Sequence, residues 1–180
     1  MECQSEYNQL HYQISYDTKI LFIGANPSPG TYKRRIPFSS NKTLWYYLHD
    51  AGLIEENRTV LKNDADLKKI YQEKFTKIYK LGILNLVNRP TKTFAEIKAL
   101  ETIEGTSRIL AAINRYRPLV VCFIGKRTYD LFIKKSQSTY GWQPSIDTTK
   151  IYVMHTPLRG LAQIRINELK EVGKAAGLLK

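Results

Sequence analysis

Two short apolar runs, "KILFIG" at residues 19–24 and "LVVCFIG" at 119–125, restrict the fold more than anything else in the chain. Both end in glycine, and neither alternates with polar residues. A strand with one wet face alternates; a run that does not is buried on both faces, as in a parallel sheet covered by helices. "IYVMH" at 151–155 is a third run of this kind, and "YKLGILNLV" at 79–87 a weaker fourth.

Helical patterns lie between these runs. "NKTLWYYLHDAGL" sets Leu44, Trp45 and Leu48 at helical spacing, with Gly52 as its stop and Leu53 just beyond. "TSRILAAINRYRP" places Ile109, Leu110 and Ile113 and halts before Pro118, and "INELKEVGKAAGLL" carries Leu169, Val172 and Ala175. "ADLKKIYQEKFTKIYK" reads as one further helix with a lysine-rich outer face. Strands alternating with helices predict an α/β domain on a mainly parallel sheet. With 180 residues and no linker, repeat or low-complexity stretch, one domain over 1–180 is expected, residues 1–18 forming an N-terminal extension. In such sheets the working site sits at the carboxyl ends of the strands. Four loops are thereby selected: those after Gly24, Val87, Gly125 and His155.

Charge narrows the partner. The chain holds 28 Lys and Arg against 16 Asp and Glu, a net +12, and a field of that sign attracts nucleic acid first. An acidic membrane surface would call for a strongly amphipathic basic helix, and none stands out. A lysine excess that only keeps the protein soluble is the bland reading. No apolar stretch nears the roughly 20 residues of a membrane span. "MECQSEYNQLHYQ" is too polar for a signal peptide. Two cysteines, Cys3 and Cys122, and three histidines, His11, His49 and His155, build neither a disulfide framework nor a metal-ligand spacing. Cys122 lies inside an apolar run and reads as core. A soluble intracellular protein that needs no metal or cofactor is expected.

The first loop, "GANPSPGTYKRRIPF", fails as a phosphate cradle. Gly30 is followed by Thr31 and Tyr32 where a Walker loop needs Lys then Ser or Thr, and G-x-G-x-x-G is absent. Pro27 and Pro29 also remove N–H donors from what would be a donor-rich nest. What remains is a stiff turn that fixes Asn26, whose amide both donates and accepts, at the mouth of the sheet. The fourth loop, "HTPLRGLAQIR", starts with His155 at a strand end and carries Leu158, Arg159 and Leu161. Exposed leucines beside an arginine suit a wedge that enters a base stack while Arg holds phosphate or a base edge. Packing of one of these leucines onto the sheet is the structural alternative.

Together these residues resemble the uracil-DNA glycosylase superfamily, over a stretch from about Lys19 to near the C-terminus. "LFIGANPSPG" is similar to the G-[IV]-N-P-G motif of the mismatch-specific uracil/thymine branch, which places its catalytic Asn at Asn26. "IPF" resembles the segment whose Phe stacks on the extruded base, here Phe38. "LGILNLVNRPT" is similar to the T-x-L-V-x-R-P-T segment, with Leu84 in place of the first Thr. "ETIEGTSRIL" and "VVCFIGKRTYDLF" also resemble the family in order and spacing. The last motif departs from that branch: "HTPLRGL" stands where N-P-S-G-L is usual, and a His there resembles the single-strand-selective branch.

The resemblance implies a three-layer α/β/α sandwich and a monofunctional hydrolase that acts as a monomer in DNA base-excision repair. The enzyme would flip uracil, or a mismatched or modified pyrimidine, from single- or double-stranded DNA into a pocket and leave an abasic site. It implies that Asn26 orients the attacking water and that a neutral His155 donates to the base O2 as charge develops. Backbone N–H groups of Ala25 and Phe38 and the amide of Asn85 would read the base edge, with Ser28 shaping the pocket. Lys33, Arg34, Arg35, Arg89, Lys126 and Arg127 fall in or beside the four loops and are candidates for phosphate contacts. A non-catalytic nucleic-acid-binding module on the same fold, or an enzyme of free nucleosides, are the rival readings.

Overall fold

The computed structural model describes residues 12–180; Cys3, His11 and most of the expected N-terminal extension lie outside the described residues. Five strands form one sheet in the order β2-β1-β3-β5-β4. Strands β1 (Ile20–Gly24), β2 (Leu81–Asn85), β3 (Val120–Ile124) and β5 (Thr149–Met154) are parallel, and β4 (Gly141–Ile146) runs antiparallel along β5. Every residue of β1, β2 and β3 is buried, as uninterrupted apolarity predicts.

Strand pleating sends alternate side chains into two separate cores. Ile20, Phe22, Val120, Cys122, Tyr152 and Met154 pack toward α2 (Thr43–Asp50), α4 (Asp64–Glu73) and α7 (Ala162–Ala175). Leu21, Ile23, Val121, Phe123, Ile151 and Val153 pack toward α5 (Ala99–Tyr116) and α6 (Lys126–Ile133). The result is three layers. Each fully buried Leu, Ile or Phe contributes about 1.5–3 kcal/mol, so the two faces share the stabilisation. Cys122 is fully buried and its thiol is pushed up by desolvation, consistent with packing rather than nucleophilic duty.

Four elements differ from the sequence expectation, three of them for a local reason. Strand β4 is an edge with a mostly exposed pattern and Pro144 at its irregular register, so it never shows an apolar run. The helix expected over residues 65–80 stops at Glu73, because Phe75 and Tyr79 turn inward to the core and the chain must enter β2. In the first loop the chain coils into the short helix α1 (Pro29–Arg34), and α3 (Arg58–Lys62) is a further short helix. "SP" there is a helix start: Ser28 caps α1 by accepting from the Thr31 N–H at 3.2 Å, and Pro29 fills the first turn, where a missing N–H costs nothing.

Before β1, Gln13 bridges Ile83 in antiparallel fashion and covers the outer edge of β2. Among the described residues no helix is long and apolar enough to cross a membrane.

Candidate active site

The loop after β1 delivers Asn26 to the carboxyl end of the sheet, and two contacts of Nδ2 set its amide, a longer one to the Pro27 carbonyl at 3.3 Å and a shorter one to Thr91. Asn26 Nδ2 lies 2.6 Å from Thr91 Oγ1, and the Thr91 hydroxyl itself lies 2.9 Å from the Thr93 carbonyl. A carbonyl only accepts, so Thr91 uses its single proton there and can only accept from Asn26. The amide NH2 therefore faces Thr91 and Oδ1 is left as an acceptor. Thr91 is held in turn by its own N–H, which donates to the Pro27 carbonyl at 3.2 Å. Residues 26–27 and 91 are thus one unit. Thr91 was legible only as the last letter of "NRPT".

Beside Asn26 lies a cavity of about 280 Å³ whose wall includes Ala25, Asn26, Ser28, Phe38 and Asn85. The sequence therefore nominated five residues that the fold brings together. Phe38 takes a left-handed backbone, φ 54°, which costs a bulky residue about 1–2 kcal/mol and marks a conformation imposed from outside. The constraint is visible on either side: the buried indole of Trp45 donates to the Pro37 carbonyl at 2.8 Å, and Ile36, Pro37 and Ser39 are buried. Ser40 closes the rim through hydroxyl contacts of 2.6 Å to Ser28 and 2.9 Å to Thr31.

Gly24 is required by close approach. A Cβ there would sit 2.3 Å from Asn85 Oδ1 and 2.8 Å from Phe38 Cζ. The backbone thus leaves room for an amide and an aromatic ring to converge over it. Asn85 is buried and donates from Nδ2 to the Tyr12 hydroxyl at 2.9 Å, which leaves its Oδ1 on the cavity side of Gly24. Burial raises the Tyr12 phenol, so it stays protonated. Arg108, reaching from α5, donates to the Asn85 and Leu86 carbonyls and to Asn88 Oδ1, and pins the loop after β2. Tyr12 carries no motif signal, and Arg108 lies within "ETIEGTSRIL" without being singled out there; the role of each is recognised only by where the fold puts it.

The fourth loop departs from expectation at His155. The cavity wall includes Thr156, Pro157 and Leu158 but not His155. The His155 ring stacks on Tyr140, centroids 3.5 Å apart, and its Nδ1 lies 2.7 Å from Glu168 Oε1. Glu168 also accepts from the His155 backbone N–H at 3.0 Å. A carboxylate has no proton to give, so Nδ1 carries the hydrogen and a neutral ring presents Nε2 as an acceptor. The expected neutral donor to the base is therefore not what this geometry offers; only the cationic ring could donate there.

The rest of this loop is built around Arg165 of α7. Its buried guanidinium donates to the carbonyls of Thr156 and Leu161, each at 3.1 Å, and of Arg159. Gly160, φ 90°, lets the chain pass over that guanidinium, since a Cβ would lie 2.7 Å from Nη1. Leu158 and Leu161 are left 68% and 72% exposed, so neither packs on the sheet.

The candidate cations divide. Arg89 is committed to structure: it grips Glu101 at 2.7 and 3.0 Å and the Glu96 carbonyl at 2.8 Å, and so ties the loop after β2 to the start of α5. That pairing removes it from the exposed cations. Arg34 pairs with Asp64 at 3.4 Å but stays 40% exposed, and Lys33 and Arg159 are exposed. Arg35 caps α1 in a left-handed turn. Lys126 Nζ lies 4.9 Å from the Tyr140 ring centre and Arg127 4.3 Å from that of Phe94, both cation–π contacts at the site rim.

Compared with known families, residues 11–171 match the Uracil DNA glycosylase superfamily. The match spans most of the chain, from before β1 to within α7, and includes all four loops that meet at the cavity. On that match and this fold, the chain belongs to the uracil-DNA glycosylase superfamily.

Proposed function

We propose that the protein extrudes uracil, or a related pyrimidine, from DNA into the cavity beside Asn26 and hydrolyses its glycosidic bond. The family consists of DNA glycosylases, hydrolases of base-excision repair that act on DNA. The observation that carries the finer reading is the enforced amide of Asn26. Its Oδ1 is an acceptor held on the cavity wall, which suits a water poised for the sugar carbon.

Phe38 supplies an apolar face for the flipped base, a contact worth about 1–3 kcal/mol for base on aromatic. Asn85 offers the polar edge. Breaking the bond leaves positive charge on the sugar and negative charge on the base. A hydroxyl donor at Thr156, on the cavity wall beside Pro157, serves the developing anion better than His155 does. His155 is then a positioning residue, acting on the loop through Glu168 and Tyr140. Asn26 cannot deprotonate water as a carboxylate could, so turnover is modest and electrostatic stabilisation supplies much of the rate.

The test is incubation with oligonucleotides carrying uracil in U·G, U·A and unpaired contexts, followed by alkaline cleavage at abasic sites. Cleavage in at least one context is expected, and Asn26→Ala should reduce it by about a hundredfold or more while binding persists. Tight DNA binding with no cleavage in any context would instead support the non-catalytic module.

A further inference from the structure

Outside the base cavity lies an open groove of about 600 Å³ between the 3-10 turn Phe94–Glu96, the start of α5 and the outer face of α6. Its floor is apolar, from Ile97 and Leu131. Its rim carries Lys98, Arg127, Lys134 and Lys135 against a single carboxylate, Asp130, which accepts from the Ser138 N–H at 3.1 Å. Lys134 and Lys135 are exposed and make no ion pair with any described residue. One residue belongs to both concavities: Phe94 lines the groove and the base cavity, and the Arg127 guanidinium lies on its ring.

We infer that this groove holds the single-stranded DNA flanking the extruded nucleotide, a proposal that rests on the glycosylase reading of the adjoining cavity. The Phe94–Arg127 pair stands at the junction, where a neighbouring base stacks on the guanidinium, and the lysines beyond it follow the phosphates. Apolar floor, stacking platform and cationic rim are the combination that holds a single strand without reading its sequence. A duplex fits the groove poorly, because its bases are already stacked on each other.

Lys134 offers a clean probe. It adopts the left-handed conformation that closes α6, φ 54°, so glycine there removes the charge and relieves the backbone together. The experiment measures binding of a fluorescent adenine-only 15-mer, which has no pyrimidine for the cavity, to the full chain and to Lys134→Gly/Lys135→Ala. The variant should bind about tenfold more weakly, with a log–log salt slope shallower by about 1.4, or about 0.7 for each phosphate no longer neutralised. Arg127→Ala should weaken binding of the same strand about five- to tenfold, because the stacking platform is gone. Uracil excision from a pentamer, too short to reach the lysines, should be unchanged in the double variant. Unchanged 15-mer affinity and slope, or a parallel loss on the pentamer, would overturn the proposal. Strand binding is read without turnover, so absent excision by the unaltered protein counts against the glycosylase reading alone.

Discussion

At the scale of single residues, the site depends on two small features. The first is the Thr91 hydroxyl, which by donating to Thr93 forces Asn26 to present Oδ1. Thr91→Val keeps the volume and removes this restraint. It is expected to slow excision about tenfold or more with little change in substrate binding, checked by single-turnover kinetics; Thr91→Ser should restore most of the rate. A loss in the serine variant with the valine variant unaffected would mean that the methyl group, not the hydrogen bond, matters. The second is the bare Cα of Gly24. Gly24→Ala drives a methyl into Asn85 and Phe38, so it should abolish excision and cost about 1–3 kcal/mol of stability, read by denaturant unfolding.

Elements act as mounts for these residues. The strands end in line, and α1, capped by Ser28, stiffens the turn that carries Asn26. Helix α7 contributes twice to the fourth loop, through Glu168 to His155 and through Arg165 to three carbonyls. Lysine cannot reproduce the fork of a guanidinium. Arg165→Lys should therefore loosen residues 156–161; if Leu158 and Leu161 enter the base stack, excision from duplex should fall more than from single strands, because only a duplex would need such a wedge. Leu161→Ala should show the same bias, checked by paired rates on U·G duplex and unpaired uracil. Equal effects on both substrates would argue against a wedge.

At the scale of the whole molecule, net charge and one half-buried ion pair set the response to conditions. A net +12 implies DNA affinity that falls steeply with salt. Acid sensitivity has a local source. The hydrogen bonds from Arg89 hold the Glu101 carboxyl at about 2, below its ordinary 4.5. Since the folded-state value is the lower one, the stabilisation is fully present above pH about 4.5 and fades as pH falls toward 2. Glu101→Gln should lower the Tm at neutral pH and flatten the acid limb of Tm against pH in that window. Thermal unfolding from pH 2 to 7 checks this; an unchanged acid limb would place the acid sensitivity elsewhere.

A mainly parallel sheet covered by helices was written in the amino-acid order alone; its three layers and part of the cavity wall were read through the family resemblance. Burial on both faces leaves a run such as "LVVCFIG" no other place than a covered parallel sheet, and strand-end loops are where such a sheet works. Asn26 was legible for that reason, and Ala25, Ser28, Phe38 and Asn85 through the family that the short motifs resemble. The rest emerged only with the folded chain. Strand β4 is an edge held by its neighbour, without an apolar run to mark it. Arg89, one of six candidate cations in sequence, is claimed by Glu101, twelve residues away. Tyr12 meets Asn85 across 73 positions, and Thr91 meets Asn26 across 65. His155 stood at the right strand end, yet Glu168 from α7 takes its Nδ1 and Thr156 takes the cavity wall. Composition and periodicity record which residues want burial and in what local form. Which lone pair meets which proton depends on chain segments that become neighbours only once the sheet has closed.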